Sequence, residues 1–354
     1  MAGQATGGDR TSGGDRTSGG DRTSGDGRAP AGVDVADLVE RARKGQPRAV
    51  GRLISLVEDA SPVLREVMAA LVGHTGGGYV IGITGAPGVG KSTSTSALVT
   101  GFRRLGKRVG VLAVDPSSPF SGGALLGDRV RMQEHATDPD VYIRSMASRG
   151  HLGGLAWATP QALRVLDAAG FDVILVETVG VGQSEVEIAG LADTTVVLLA
   201  PGMGDGIQAA KAGILEIGDV YAVNKADRDG ADATVRELGN MLALGARRGP
   251  GDWRPPIVRT VAVRGEGVDE LIEALEKHQS WLAGTGELDR RRRRRVCDEI
   301  EAIAVTALRE RIGDLHGDQR LDVLAGRVLE GELDPYHAAD ELVENLSELA
   351  APDG

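Results

Sequence analysis

Gly85-Ala86-Pro87-Gly88-Val89-Gly90-Lys91-Ser92-Thr93 fits the pattern G-x-x-x-x-G-K-[ST], and its flanks constrain the fold as much as the motif does. Before it, Tyr79 to Thr84 is a short apolar run of the kind a buried strand needs. After it, Ser94 to Leu105 reads as a helix. A strand, a glycine turn and a helix start together make a phosphate cradle. The glycines let backbone N–H groups curl around phosphate oxygens, and the helix N-terminus adds a partial positive charge. In that setting Lys91 reaches the β- and γ-phosphates and the Ser92 hydroxyl holds Mg²⁺.

The base is indicated far downstream. Asp219 to Val223 is another apolar strand, and it ends in Asn224-Lys225-Ala226-Asp227. A carboxylate at Asp227 can accept from both N1–H and the N2 amine of guanine. Adenine has an acceptor at N1 and no N2 amine, so a buried carboxylate there would lose both donors. Stranding it costs several kcal/mol, a discrimination on the order of a thousandfold. N-K-x-D says little alone; after a phosphate loop, with both at strand ends, it points to GTP.

The rest of the chain is consistent with an enzyme of this kind. Its formal charge of −11 opposes a nucleic-acid binder. No apolar run reaches the roughly 20 residues of a membrane span, and the N-terminus lacks a signal-peptide core. The single cysteine, Cys297, excludes an internal disulfide and a cysteine-cluster metal site, and a cytoplasmic setting is expected. Residues 7–24 are three identical copies of Gly-Gly-Asp-Arg-Thr-Ser, a period with no apolar residue to bury, so 1–32 is expected to be a disordered tail. Val35, Leu38 and Val39, then Val50, Leu53, Ile54 and Val57, recur at helical spacing and predict an N-terminal helical extension over 33–76.

From Tyr79 to about Leu282 strands and helices alternate, with later strands expected at 108–114, 141–145, 172–177, 194–200, 219–224 and 257–262. The pattern predicts an α/β domain over 77–285, its mainly parallel sheet covered by helices on both faces. Beyond it, 286–354 reads as helical: a stripe at Val296, Ile300, Ile303, Ala304 and Leu308, and a further helix near Tyr336 to Leu349. The run Arg290 to Arg295 is followed by Asp298, Glu299 and Glu301, which favours a solvated helix face over a nucleic-acid patch.

Two segments suggest hydrolysis machinery. Asp172 to Glu177 is a buried strand ending in a carboxylate, followed by Thr178-Val179-Gly180. Glu177 is expected to hold Mg²⁺ directly or through water, and the Gly180 N–H to contact the γ-phosphate. Asp115-Pro116-Ser117-Ser118-Pro119 ends the second strand and continues to Asp128 through a glycine-rich stretch, the composition of a loop that orders around a γ-phosphate.

Glu177-Thr178-Val179-Gly180-Val181-Gly182-Gln183-Ser184-Glu185, with Asp115-Pro116-Ser117-Ser118 and Leu126-Gly127-Asp128-Arg129, resembles the methylmalonyl-CoA mutase-associated GTPase chaperones, the MeaB/ArgK-like family once labelled lysine/arginine/ornithine transport ATPases. The resemblance spans roughly residues 34 to 345. It implies a P-loop NTPase fold with a SIMIBI-type G domain, and a Mg²⁺ shell of Ser92, Asp115, Asp128 and Glu177. It makes Asp227 the guanine reader and Val261-Ala262-Val263 a second base-contacting loop, although Val261 stands where a serine is common. It makes Pro201 to Gln208 an extra switch, with Gly206 where an acidic residue is usual, and the C-terminal helices a homodimerisation arm.

The function the resemblance implies is GTP hydrolysis that gates cofactor loading and protection of an adenosylcobalamin-dependent acyl-CoA mutase. Three alternatives remain. Nickel-delivery GTPases use Cys/His sites, which one cysteine and six scattered histidines do not suggest. A signal-recognition-type GTPase wants a D-T-A-G-like third motif. A transport ATPase or kinase is opposed by Asn224-Lys225-Ala226-Asp227 and by Ala86, where related dimeric ATPases place a lysine.

Overall fold

The computed structural model describes residues 33–116, 132–148, 158–178, 184–202, 216–244, 249, 251–312 and 319–349. The hexapeptide repeats, Asp128, Gly180 and the span 203–208 lie outside them. Seven strands are described: β1 (Tyr79–Thr84), β2 (Val109–Pro116), β3 (Val141–Ser148), β4 (Val173–Thr178), β5 (Thr194–Leu199), β6 (Val220–Val223) and β7 (Ile257–Arg259). They form one sheet in the order β3-β2-β4-β1-β5-β6-β7, every pairing parallel. β1, β4, β5 and β6 are buried along their whole length, which is why they read as unbroken apolar runs rather than alternating ones.

Alternate residues of these strands feed two separate cores. Ile81, Ile83, Leu175, Val196 and Leu198 pack with α4 (Lys91–Arg104) through Leu98 and Phe102, and with α8 (Val268–Thr285) through Ile272 and Leu275. Val197, Leu199, Tyr221 and Val223 instead pack with Leu238 on α7 (Ala231–Leu244). Helices therefore cover both faces, as the alternation of elements predicts. At the N-terminus stand α1 (Val35–Arg43), α2 (Pro47–Glu58) and α3 (Leu64–Leu71). α2 and α3 pack on α5 (Thr159–Ala168), and α2 also meets β3. α6 (Ser184–Leu191) packs on β1, β4 and β5.

The last predicted strand is shorter than 257–262. β7 ends at Arg259, and the chain turns through a 3-10 segment at Ala262–Arg264. The cause lies next door. The Asn224 side-chain carbonyl accepts from Ala262 N–H at 3.1 Å, and Ala226 N–H takes the Thr260 carbonyl at 3.0 Å, so the ladder cannot continue.

The arginine run also departs from its predicted role. It lies on α9 (Glu287–Ile312), where Arg290, Arg293 and Arg294 are exposed but Arg291, Arg292 and Arg295 are not. These three share one helical face and grip two buried aspartates at the N-terminal ends of β5 and β6. Arg291 makes a two-point contact with Asp219 at 2.8 and 2.9 Å. Arg292 reaches Asp193 at 2.8 and 3.2 Å and also donates to the Gly76 and Gly78 carbonyls at 2.8 Å each. Arg295 meets Asp193 at 3.3 Å and donates to the Leu191 carbonyl. His278 on α8 closes the cluster: fully buried, with Nδ1 2.7 Å from the Thr194 hydroxyl and Nε2 3.4 Å from Asp219. Burial pushes its imidazole down to about 4, so it is neutral at pH 7.

Past α9, α10 (Gln319–Leu329) and α11 (Pro335–Leu349) form a small hairpin around Leu324, Ala338 and Leu342. Among the described residues no helix is long and apolar enough to cross a membrane.

Candidate nucleotide site

β1 delivers the chain into the glycine loop at the C-terminal edge of the sheet, and α4 leaves it. Gly85 has φ +143°, and a Cβ there would sit 2.4 Å from the Leu198 carbonyl oxygen. Gly90 has φ +98°, and its Cβ would meet the Asn224 amide nitrogen at 2.5 Å. Only glycine fits either position, because neither the dihedral nor the space admits a side chain. Gly90 is also the N-cap of α4 and lends no side chain to the first turn, so the N–H groups there point out of the helix end. Ala86, Pro87, Gly88 and Val89 complete the loop, with Pro87 and Gly88 exposed.

Lys91 is buried at the first position of α4. Its Nζ donates to the Gly85 carbonyl at 2.7 Å and lies 3.3 Å from that of Ala86, so the ammonium folds back across the loop. Ser92 points toward β4. Its hydroxyl donates to Glu177 Oε1 at 2.6 Å, and the Thr95 hydroxyl stands 3.0 Å from Glu177 Oε2. Glu177 is only 4% exposed, and these two hydroxyls hold both its oxygens at the mouth of the loop. Thr93, between them in sequence, is exposed. Thr95 was not singled out from sequence; its spacing of one turn from Ser92 is the signal that places it on the same helix face.

The predicted base end comes from β6 and the turn after β7. Asn224 is a buried crosslink: Nδ2 donates to the Val89 carbonyl at 2.8 Å, while Oδ1 accepts from Ala262 N–H and lies 3.3 Å from the Thr260 hydroxyl. It ties the phosphate loop to the Val261-Ala262-Val263 segment. Lys225 adopts φ +57°, uncommon for a residue with a side chain, and its Nζ donates to the Gly88 carbonyl at 2.6 Å. Asp227 is not the buried carboxylate expected: it follows the end of β6, stands exposed at the rim and pairs with Arg264 at 3.1 Å. Val261 and Ala262 are buried, whereas Val263 is exposed.

The structure thus brings the phosphate loop, Glu177, Asn224, Lys225, Asp227 and residues 261–263 to one edge of the sheet. β1 sits between β4 and β5 where the strand order reverses, the place such sheets bind ligands. Asp115 is the penultimate residue of β2 on the same edge, two residues past Ala113, which pairs with Glu177. Asp128 and Gly180 lie outside the described residues.

The sequence matches, over residues 50–315, the family described as methylmalonyl-CoA mutase-associated GTPase MeaB. This chain belongs to the MeaB family. A protein of Pyrococcus abyssi named as a GTPase is 47% identical over 313 residues, covering 88% of this chain and 97% of its own length. The mouse mitochondrial methylmalonic aciduria type A homologue is 34% identical over 323 residues, covering 85% of this chain and 77% of its own. Among solved structures, an LAO/AO transport system kinase superposes with a TM-score of 0.68 at 26% identity, covering 88% of this chain and 97% of that one. This MeaB-family chain is a GTPase on a P-loop fold, as the motif order predicts.

Proposed function

We propose that this GTPase is the chaperone of an adenosylcobalamin-dependent acyl-CoA mutase, with methylmalonyl-CoA mutase the expected client, and that its nucleotide cycle gates cofactor loading and protection. The observation that carries the reading is the family match itself, whose description names that mutase. The mouse relative, named for methylmalonic aciduria, supports it. In this division of labour 33–76 is a helical extension, 77–285 the G domain and 286–354 a homodimerisation arm.

At the phosphate end the backbone N–H groups of the glycine loop and the first turn of α4 bind the β- and γ-phosphates. Lys91 Nζ exchanges the Gly85 and Ala86 carbonyls for phosphate oxygens and stabilises the charge that develops there. Glu177, Ser92 and Thr95 form an all-oxygen cluster, the donor chemistry a hard divalent cation takes. Among the described residues no three His, Cys, Asp or Glu side chains converge; Asp115 and Asp128 join the set on the family resemblance of their motifs. Ser92, Asp115, Asp128 and Glu177 would hold Mg²⁺, directly or through water. When bound, the ion neutralises charge on the β- and γ-phosphate oxygens. At the base end Asn224 fixes the loop geometry, Asp227 reads guanine, and Val261-Ala262-Val263 contacts the base.

After Gly180 stands Val181, which has no group to orient the attacking water. Turnover is therefore slow until a partner completes the site, and a group supplied in trans is worth up to about 10³–10⁵ in rate. The test is GTP turnover at saturating nucleotide with and without the cognate mutase, alongside mutase binding in GDP and in a non-hydrolysable GTP analogue. Faster turnover and a nucleotide-dependent affinity are expected. By linkage, the factor by which GTP changes mutase affinity must equal the factor by which mutase changes GTP affinity. Unchanged turnover and equal affinities overturn the chaperone reading.

A further inference from the structure

The loop that turns back after β7 places a guanidinium against the carboxylate assigned to guanine. Arg264 follows Val263, and the chain then passes through Gly265 and Gly267, both with φ near +75°, so that Glu266 doubles back. Val261 N–H donates to the Glu266 carbonyl at 2.9 Å and closes this tight loop. Across it, Arg264 Nε and Nη2 meet the two Glu266 oxygens at 2.7 and 3.3 Å, a fork that fixes the guanidinium plane. The remaining arm, Nη1, donates to Asp227 Oδ2 at 3.1 Å.

Three points argue that this contact serves the base. Asp227 sits on an exposed rim, so nothing buried fixes its rotamer; Val261, at the start of the same loop, has no hydroxyl to offer it. Glu266 already balances the charge of Arg264, so the contact orients Asp227 without cancelling the negative charge that guanine must meet. A carboxylate also has about four lone-pair positions. Arg264 occupies one on Oδ2, which leaves at least one on each oxygen for N1–H and the N2 amine.

We propose that Arg264 is a positioning residue for guanine selection, aimed by Glu266 and holding Asp227 in its base-reading rotamer. The proposal rests on the assignment of Asp227 as guanine reader. It makes specificity a property of the Asp227–Arg264–Glu266 chain rather than of Asp227 alone.

The experiment measures GDP and IDP affinities, by calorimetry, for the full-length wild type, Arg264→Ala and Arg264→Lys. IDP lacks the N2 amine. Arg264→Ala is expected to weaken GDP binding about two- to fivefold, the range of a half-exposed ion pair. IDP should lose less, so the GDP/IDP ratio narrows, while turnover at saturating GTP is preserved. Arg264→Lys, one donor without the fork, should recover part of the ratio. Affinities equal to wild type overturn the proposal, and so do equal losses for both nucleotides, which would reduce Arg264 to loop support. Tighter GDP binding overturns it too, because Arg264 would then compete with guanine. Asp227→Asn separates the two layers. If it switches base preference while Arg264→Ala is silent, the Asp227 assignment stands and only the positioning role falls.

Discussion

Guanine is the base that presents two donors side by side, and Asp227 is an exposed carboxylate with two acceptor oxygens at the edge where Asn224 binds both loops. Asp227→Asn turns one of those acceptors into a donor. Xanthine carries a carbonyl at C2 and pairs with that donor, so the variant is expected to prefer xanthosine over guanosine triphosphate, with GTP affinity falling about ten- to a hundredfold, the range of hydrogen bonds to a charged group. Competition binding checks it; full GTP affinity in the variant excludes the assignment. At this scale the residues gathered at the sheet edge were legible as positions, because the glycines, Lys91 and Ser92 keep fixed spacing within one strand-loop-helix unit, and Asn224 and Asp227 within the turn that follows β6. Thr95 and Arg264 were not. Thr95 earns its place only once Glu177, 82 residues away, is known to face it. Arg264 does so only once the Gly265–Gly267 turn folds the loop back on itself.

Elements were legible where their burial is local and uniform. β1, β4, β5 and β6 are buried from end to end, so their apolar runs announced them to within a residue or two. β7 is less buried, and its end was misplaced because the Asn224 side chain, not the strand's own pattern, decides where the ladder stops. The arginine run is the sharper lesson. Acidic residues just after it suggested solvation, but the partners of Arg291 and Arg292 are Asp219 and Asp193, 72 and 99 residues earlier in sequence. No window along the chain contains them. Asp193 is fully buried and keeps Arg295 and the Val80 N–H when Arg292 is lost. Arg292→Ala should therefore cost about 2 kcal/mol, below the roughly 3–5 of a fully stranded buried partner. Urea unfolding measures it, and Arg292→Lys should restore only a fraction, since a point charge cannot span Asp193 and two carbonyls. A loss within about 0.5 kcal/mol would mean the grip contributes little.

For the molecule as a whole, that grip changes how the proposed homodimer must be tested. α9 runs about 39 Å, at 1.5 Å per residue. Its first turns are fastened to the sheet, and beyond them Val296, Ile300, Ile303 and Leu308 are exposed, with Ile300 at 61% and Leu308 at 57%. Leu329 and Tyr336, one on each helix of the hairpin, are more exposed still. An apolar stripe on a helix held rigidly at one end favours a symmetric second copy as its cover. Cutting the chain near Gly286 is the obvious experiment, but it would remove Arg291, Arg292 and Arg295 together and leave Asp193 and Asp219 buried without them. Loss of the dimer could not then be separated from loss of the fold. Ile300→Glu with Leu308→Glu in the full chain avoids this, because both side chains are already exposed and neither touches the arginine grip. The double variant is expected to run as a monomer by light scattering, to bind GDP as tightly as wild type, and to keep its urea midpoint under monomeric conditions. A dimer that survives both charges would place the interface elsewhere on the molecule. A monomer that has also lost GDP binding would mean that the arm supports the nucleotide domain rather than joining two copies of it.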